Sequence, residues 1–147
     1  MAIKRPFHKS LHTKHDSPAK EAMIEYLTKI KKVNAWENPD RYGIDVLTDK
    51  YLYEVEVKTS WKTDEYKYKD LHIPYRKLKW CNDPNVRFVV MNGPMTTGAF
   101  VKAIDVLKSP VEWFTFYGYT EQFFVIDLNN VKFTSLKEKN AHKKETL

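Results

Sequence analysis

The sequence predicts a single α/β domain built on a central mixed β-sheet flanked by helices, and three features predict it. Residues 17–32 carry apolar side chains at helical spacing. Residues 51–59, Tyr-Leu-Tyr-Glu-Val-Glu-Val-Lys-Thr, alternate in the manner of a strand and follow a second extended run. A helix-like segment then separates this pair from an apolar, β-rich run at 86–91. The length of 147 residues suits one domain, and a chain of that size forms a core without staples.

In order along the chain, residues 1–16 read as a flexible basic arm in which Lys4, Arg5, Lys9 and Lys14 face one acid, Asp16. His8, His12 and His15 have a spacing that suggests a metal site, but in such an arm they are read as solvated. The domain proper is expected over 17–135. Its first helix starts at Ser17-Pro18, a good N-cap followed by proline at the first helical position. Ala19, Ala22, Met23, Tyr26, Leu27 and Ile30 form its apolar stripe, and Lys29, Lys31 and Lys32 suit its C-terminal end. Residues 34–42 read as a loop. Gly43–Leu47 is a short strand, Thr48-Asp49-Lys50 a turn, and Tyr51–Thr59 the clearest strand, so the two form a hairpin.

Residues 60–70 read as a polar, lysine-rich loop. A second helix is expected from His72-Ile73-Pro74 to about Cys81, then a buried strand at Val86–Met91. Gly93-Pro94 ends it. Another strand is expected at 99–104, a helical turn at 105–108, strands at 122–128 and 131–134, and a charged, frayed tail over 136–147. The aromatic stretch 111–119 fits strand or helix. Phe114, Phe116, Tyr117, Tyr119, Phe123 and Phe124 read as core or as the face of a homodimer.

The net charge of +6 and a pI near 9.2 favour a polyanionic partner. The single cysteine, Cys81, excludes an intrachain disulfide and a cysteine-based zinc site, and its apolar neighbours mark it as a buried thiol. No apolar run has the length of a membrane span, and the basic N-terminus lacks the apolar centre of a secretory signal. A soluble, cytoplasmic protein without a membrane partner is therefore expected.

The chemistry concentrates on the strand 51–59. Leu52, Glu54, Glu56 and Lys58 share one face; Tyr53, Val55 and Val57 share the other. The valine face suits a core. Cross-strand pairing brings Asp45 toward Glu56, two like charges whose repulsion a divalent cation relieves. Carboxylate oxygens suit Mg²⁺, and the Val57 carbonyl offers a backbone ligand. A cation held by few protein groups keeps waters, lowers the pKa of one and offsets charge on a phosphate. Lys58 lies on the same rail, placed to orient the attacking water or steady the phosphorus. Asp, Glu-x-Lys and Mg²⁺ together make a phosphodiester hydrolase.

Asp45 followed by Glu56-Val57-Lys58 on a valine-backed strand resembles the PD-(D/E)XK nuclease superfamily. The fuller stretch Gly43-Ile44-Asp45 with Glu54–Thr59 is similar to small archaeal-type Holliday junction resolvases over about residues 17–91. The resemblance implies a restriction-endonuclease-like fold and Mg²⁺-dependent endonuclease activity on DNA, branched or otherwise structured, with Mn²⁺ able to substitute. It implies Asp45 and Glu56 as metal ligands, Lys58 as the catalytic lysine, and an acid from the leading helix. Glu21 is the nearest match for that acid and Glu25 a rival one turn on. Ile44 stands where the family name has proline. Repair, recombination, restriction and phage replication all stay open as the process served.

Lys62, Lys67, Lys69, Arg76, Lys77 and Lys79 follow the motif, interleaved with Trp61, Tyr66, Tyr68, Tyr75 and Trp80. Cations neutralise phosphates and aromatics stack on unpaired bases, so these are the expected nucleic-acid contacts. Arg76 and Lys77 are candidates to reach the scissile phosphate and His72 a candidate proton shuttle. Three alternatives stay open: a catalytically inactive DNA-binding or accessory protein of the same fold, an RNA-directed nuclease, and a protein whose charge is incidental.

Overall fold

The computed structural model describes residues 18–137. Helix α1 runs over residues 18–25 and loosens into a π-turn at Tyr26–Ile30. The Thr28 hydroxyl donates to the Ile24 carbonyl at 2.8 Å, a contact that competes with the regular helical ladder. Lys32, at φ 58°, turns the chain out of the helix, and Val33 N–H closes on the Leu27 carbonyl at 2.9 Å. The strands that follow are β1 (Ala35–Glu37), β2 (Val46–Thr48), β3 (Leu52–Lys58), β4 (Asp70–Pro74), β5 (Val86–Asn92), β6 (Thr97–Lys102), β7 (Val111–Phe116), β8 (Tyr119–Asp127) and β9 (Lys132–Ser135). A 3₁₀ segment, Tyr75–Trp80, links β4 to β5, and α2 (Ala103–Leu107) links β6 to β7. The basic arm with its three histidines, the Ser17 cap and the tail from 138 on lie outside the described residues.

The result is a mixed α/β architecture dominated by sheet. Six strands are ordered β1-β2-β3-β5-β6-β9 and three more β4-β8-β7. In the larger sheet β3 is antiparallel to β2 and parallel to β5, while β5–β6 and β6–β9 are antiparallel.

One face of the larger sheet packs on α1. Ala19, Met23, Tyr26 and Leu27 bury themselves against Val46, Tyr53, Val55, Val89 and Met91. Burying one such large apolar side chain stabilises the fold by about 1.5–3 kcal/mol. The opposite face, lined by Val86, Phe88, Val90 and Val101, packs on Leu71, Ile73, Phe124 and Ile126 of the smaller sheet and on Ala103 and Val106 of α2. The helix expected on this side is therefore replaced by a second sheet and short helical turns.

Four further differences have local causes. The helix expected from His72 to Cys81 divides into β4 and the 3₁₀ segment. Pro74 ends an edge strand, where a missing N–H costs no ladder bond, rather than opening a helix. Within the loop expected at 34–42, Ala35–Glu37 pairs with Val46–Thr48 as a sheet edge. The strand expected at Gly43–Leu47 begins only at Val46. Leu136, expected in the frayed tail, is buried against the helix-side core, with its N–H on the Thr96 carbonyl at 2.9 Å. The aromatic stretch resolves into the hairpin β7–β8, turned at Tyr117-Gly118, both at positive φ. Phe124 enters the core, whereas Trp113 and Tyr117 are exposed. Among the described residues no helix is long and apolar enough to cross a membrane.

Candidate active site

The site grows from the register of one hairpin. Val46 pairs with Tyr53 and Leu47 with Leu52. Carried one pair further, this register sets Asp45 opposite Glu54, not Glu56. Asp45 sits just outside β2, and its carboxylate takes over the ladder: Oδ2 accepts the Val55 N–H at 2.8 Å. That bond fixes the side chain beside the charged face of β3.

On that face the parallel ladder sets Leu52, Glu54, Glu56 and Lys58 beside Val86, Phe88, Val90 and Asn92. Apolar neighbours make this a poor place for charge. Glu54 is buried, its side chain 10 % exposed. Glu56 is more open, at 36 %. Burial first, and the Glu54 charge second, raise the Asp45 pKa to about 7, against the pull of the Val55 N–H and Lys77. Asp45 therefore ionises only near neutral pH, with the Glu54 charge beside it.

The cation that meets these acids comes from the 3₁₀ segment. Lys77 Nζ pairs with Glu54 Oε2, and its ammonium also feels Glu56 and Asp45. Burial alone would lower the Lys77 pKa; the three carboxylates outweigh it and raise it. Arg76, next in the chain, lies between Glu56 Oε1, at 3.8 Å, and Glu121 of β8. Among the described residues, two buried carboxylate oxygens, Glu54 Oε1 and Glu121 Oε1, have no hydrogen-bond partner. Among the described residues no three His, Cys, Asp or Glu side chains gather closely enough to make a complete metal cage. The acids gather round an ammonium instead.

Asp45, Glu56 and Lys58 thus lie on neighbouring segments, with Glu56 and Lys58 on one face as expected. The Lys58 ammonium rests 4.5 Å from the centre of the Tyr68 ring. Val57 pairs with Met91, and its side chain packs into the helix-side core. Neither acid expected from α1 joins the site: Glu21 is exposed, and Glu25 pairs with Lys29 at 3.0 Å on the helix surface. The helix contributes Lys20, whose ammonium is 3.3 Å from Glu37 and 3.8 Å from Asp45.

Lys62, Lys67, Lys69 and Lys79 are exposed. The loop that carries the first three is anchored: Trp61 is buried, and the Asn92 amide donates to the Thr63 carbonyl at 3.1 Å. Asp64 accepts from the Thr96 and Thr97 hydroxyls, each at 2.6 Å. Lys79 lies 5.0 Å from the Trp80 ring centre. His72 is paired with Asp70 at 2.9 Å, its ring 4.5 Å from that of Phe114 and tilted to it, on the smaller sheet. Cys81 is buried as expected, its thiol pushed up to about 11 by burial.

Sequence reasoning missed Glu54, Lys20 and Glu121 as members, and took Lys77 for a phosphate contact. Glu54 was legible: counting back through a tight turn from Leu47–Leu52 gives the Asp45–Glu54 pair. The other three carry no local signal. No protein-family model matches this chain, and no curated protein matches it.

Proposed function

We propose that this chain is a divalent-metal-dependent endonuclease acting on DNA, with Asp45, Glu54, Glu56 and Lys58 at its active centre. The observation that carries this reading is the buried Asp45–Glu54 pair, in which one oxygen of Glu54 has no hydrogen-bond partner among the described residues. Crowded carboxylates with an unsatisfied acceptor fit a hard cation, which prefers oxygen ligands and relieves like-charge repulsion. Asp45 and Glu54 would supply its carboxylate oxygens, with waters completing the shell. When bound, Mg²⁺ or Mn²⁺ supplies Lewis acidity at the phosphate and a water acidified toward neutral pH. Lys58 lies two residues beyond Glu56 on the same face and offers an ammonium to a phosphate oxygen. The exposed loop lysines neutralise flanking phosphates, and Tyr68 and Trp80 offer stacking faces beside them. The parallel β3–β5 pairing next to the β2–β3 hairpin, with α1 behind, supports reading the domain as restriction-endonuclease-like.

The test is cleavage of supercoiled, linear and branched DNA, with RNA in competition, in the presence of Mg²⁺. Cleavage of DNA should vanish on chelation. It should fall about 10²–10³-fold in Glu56→Ala and Lys58→Ala, the usual cost of losing one group that stabilises developing charge. Activity that survives both substitutions refutes the assignment, as does its absence on every substrate. The Lys77–Glu54 ion pair favours one other reading, a non-cleaving DNA-binding protein whose acids are permanently neutralised. Salt-dependent DNA binding without cutting selects it.

A further inference from the structure

We infer that Lys77 is a displaceable internal counter-ion: it holds the acid cluster closed without metal and yields Glu54 to an incoming divalent cation. This deepens the metal-dependent reading and rests on it.

Three observations carry the inference. The Glu54 side chain is nine-tenths buried; Oε2 pairs with Lys77, whereas Oε1 is buried and has no hydrogen-bond partner among the described residues. A buried pair that serves structure alone repays its desolvation only when its remaining lone pairs are also satisfied, and this one leaves an acceptor over. Second, Lys77 does not sit on an α-helix, although Tyr75, Leu78 and Trp80 beside it pack on the core. It belongs to a six-residue 3₁₀ segment, Tyr75–Trp80, whose start has no side-chain cap. Hydrogen-bond geometry in such segments is poor, so rearranging one costs less than rearranging an α-helix. Third, the same segment supplies cations to both β3 acids, Lys77 to Glu54 and Arg76 to Glu56. Swinging these two side chains away would uncover both carboxylates and leave two cations beside the site, where a phosphate can meet them.

The experiment uses the full chain and Mn²⁺ as the probe, with free Mn²⁺ followed by electron paramagnetic resonance. A site whose competent form is only partly populated binds more weakly by that fraction, so Lys77→Met should tighten Mn²⁺ binding about tenfold or more. Lys77→Arg, which keeps the competing charge, should stay near the wild type. Mn²⁺ binding that is unchanged or weaker in a folded Lys77→Met protein overturns the inference. A second arm needs no substitution: acetylation of the wild type is read residue by residue by mass spectrometry. Lys77 should be protected without metal and label several-fold faster at saturating Mg²⁺; protection that metal leaves unchanged overturns the inference even if Lys77→Met fails to fold. The two failures separate cleanly. No Mn²⁺ uptake by either protein sinks the metal-dependent reading and this inference with it, whereas Mn²⁺ uptake indifferent to Lys77 sinks this inference alone.

Discussion

The two faces of β3 are made from one seven-residue strand and are closed in opposite ways. On the helix side, Tyr53, Val55 and Val57 meet Met23, Leu27 and Met91, a contact of hydrocarbon on hydrocarbon. On the other side Leu52 joins the core, whereas Glu54 and Glu56 are met by charges from a 3₁₀ segment. The first face tolerates any apolar group of the right volume. On the second, Glu54 and Lys77 depend on each other, since both are buried and a change in either leaves the other's charge unmatched. That contrast separates the part of the strand that builds the domain from the part available for chemistry.

Breaking the charged face should cost most. Lys77→Ala leaves Glu54 buried beside Asp45 without its cation, and removing one partner of a buried pair typically destabilises by about 3–5 kcal/mol. Chemical denaturation of the metal-free protein measures it, and Glu54→Gln combined with Lys77→Met should recover much of the loss. The helix side should respond by volume alone. Met23 is fully buried, so Met23→Ala should cost about 2–5 kcal/mol with no dependence on metal or pH.

Asp45 sharpens the comparison through pH. Its folded pKa, about 7, lies above the ordinary value of 3.8, so the folded protein keeps a proton that the unfolded chain has released. Its contribution is fully present below the unfolded pKa and is lost as pH rises toward and through 7. Thermal melts in chelator should therefore show Asp45→Asn gaining on the wild type between acid and neutral pH and then levelling off. A constant offset between the two would contradict the crowding of Asp45 and Glu54. The smallest effect belongs to the anchored loop: Lys62→Ala should leave stability unchanged and lower the salt slope of DNA binding by about one.

Much of the fold can be read from local pattern. β3, β5 and α1 lie close to where period-two and period-3.6 spacing put them, because each buries one face and periodicity records which face that is. Pro74 shows the limit: proline opens a helix or ends an edge strand equally well, and only the position of β4 at a sheet edge decides between them. Leu136 shows another, since a single apolar residue in a charged tail says nothing of the Thr96 carbonyl that holds it. Within the site, the Asp45–Glu54 pairing follows from turn length and alternation. The roles of Lys20 and Glu121 do not follow from either.

By itself the sequence determined which side of β3 is hydrocarbon and which is charged, since side-chain alternation is a property of the strand alone. Only the tertiary structure decided what meets that charge. Lys77 lies 23 positions from Glu54, and Arg76 lies 45 from Glu121. Pairings across such separations are set by how the two sheets and the segment between them pack, and no local period records them.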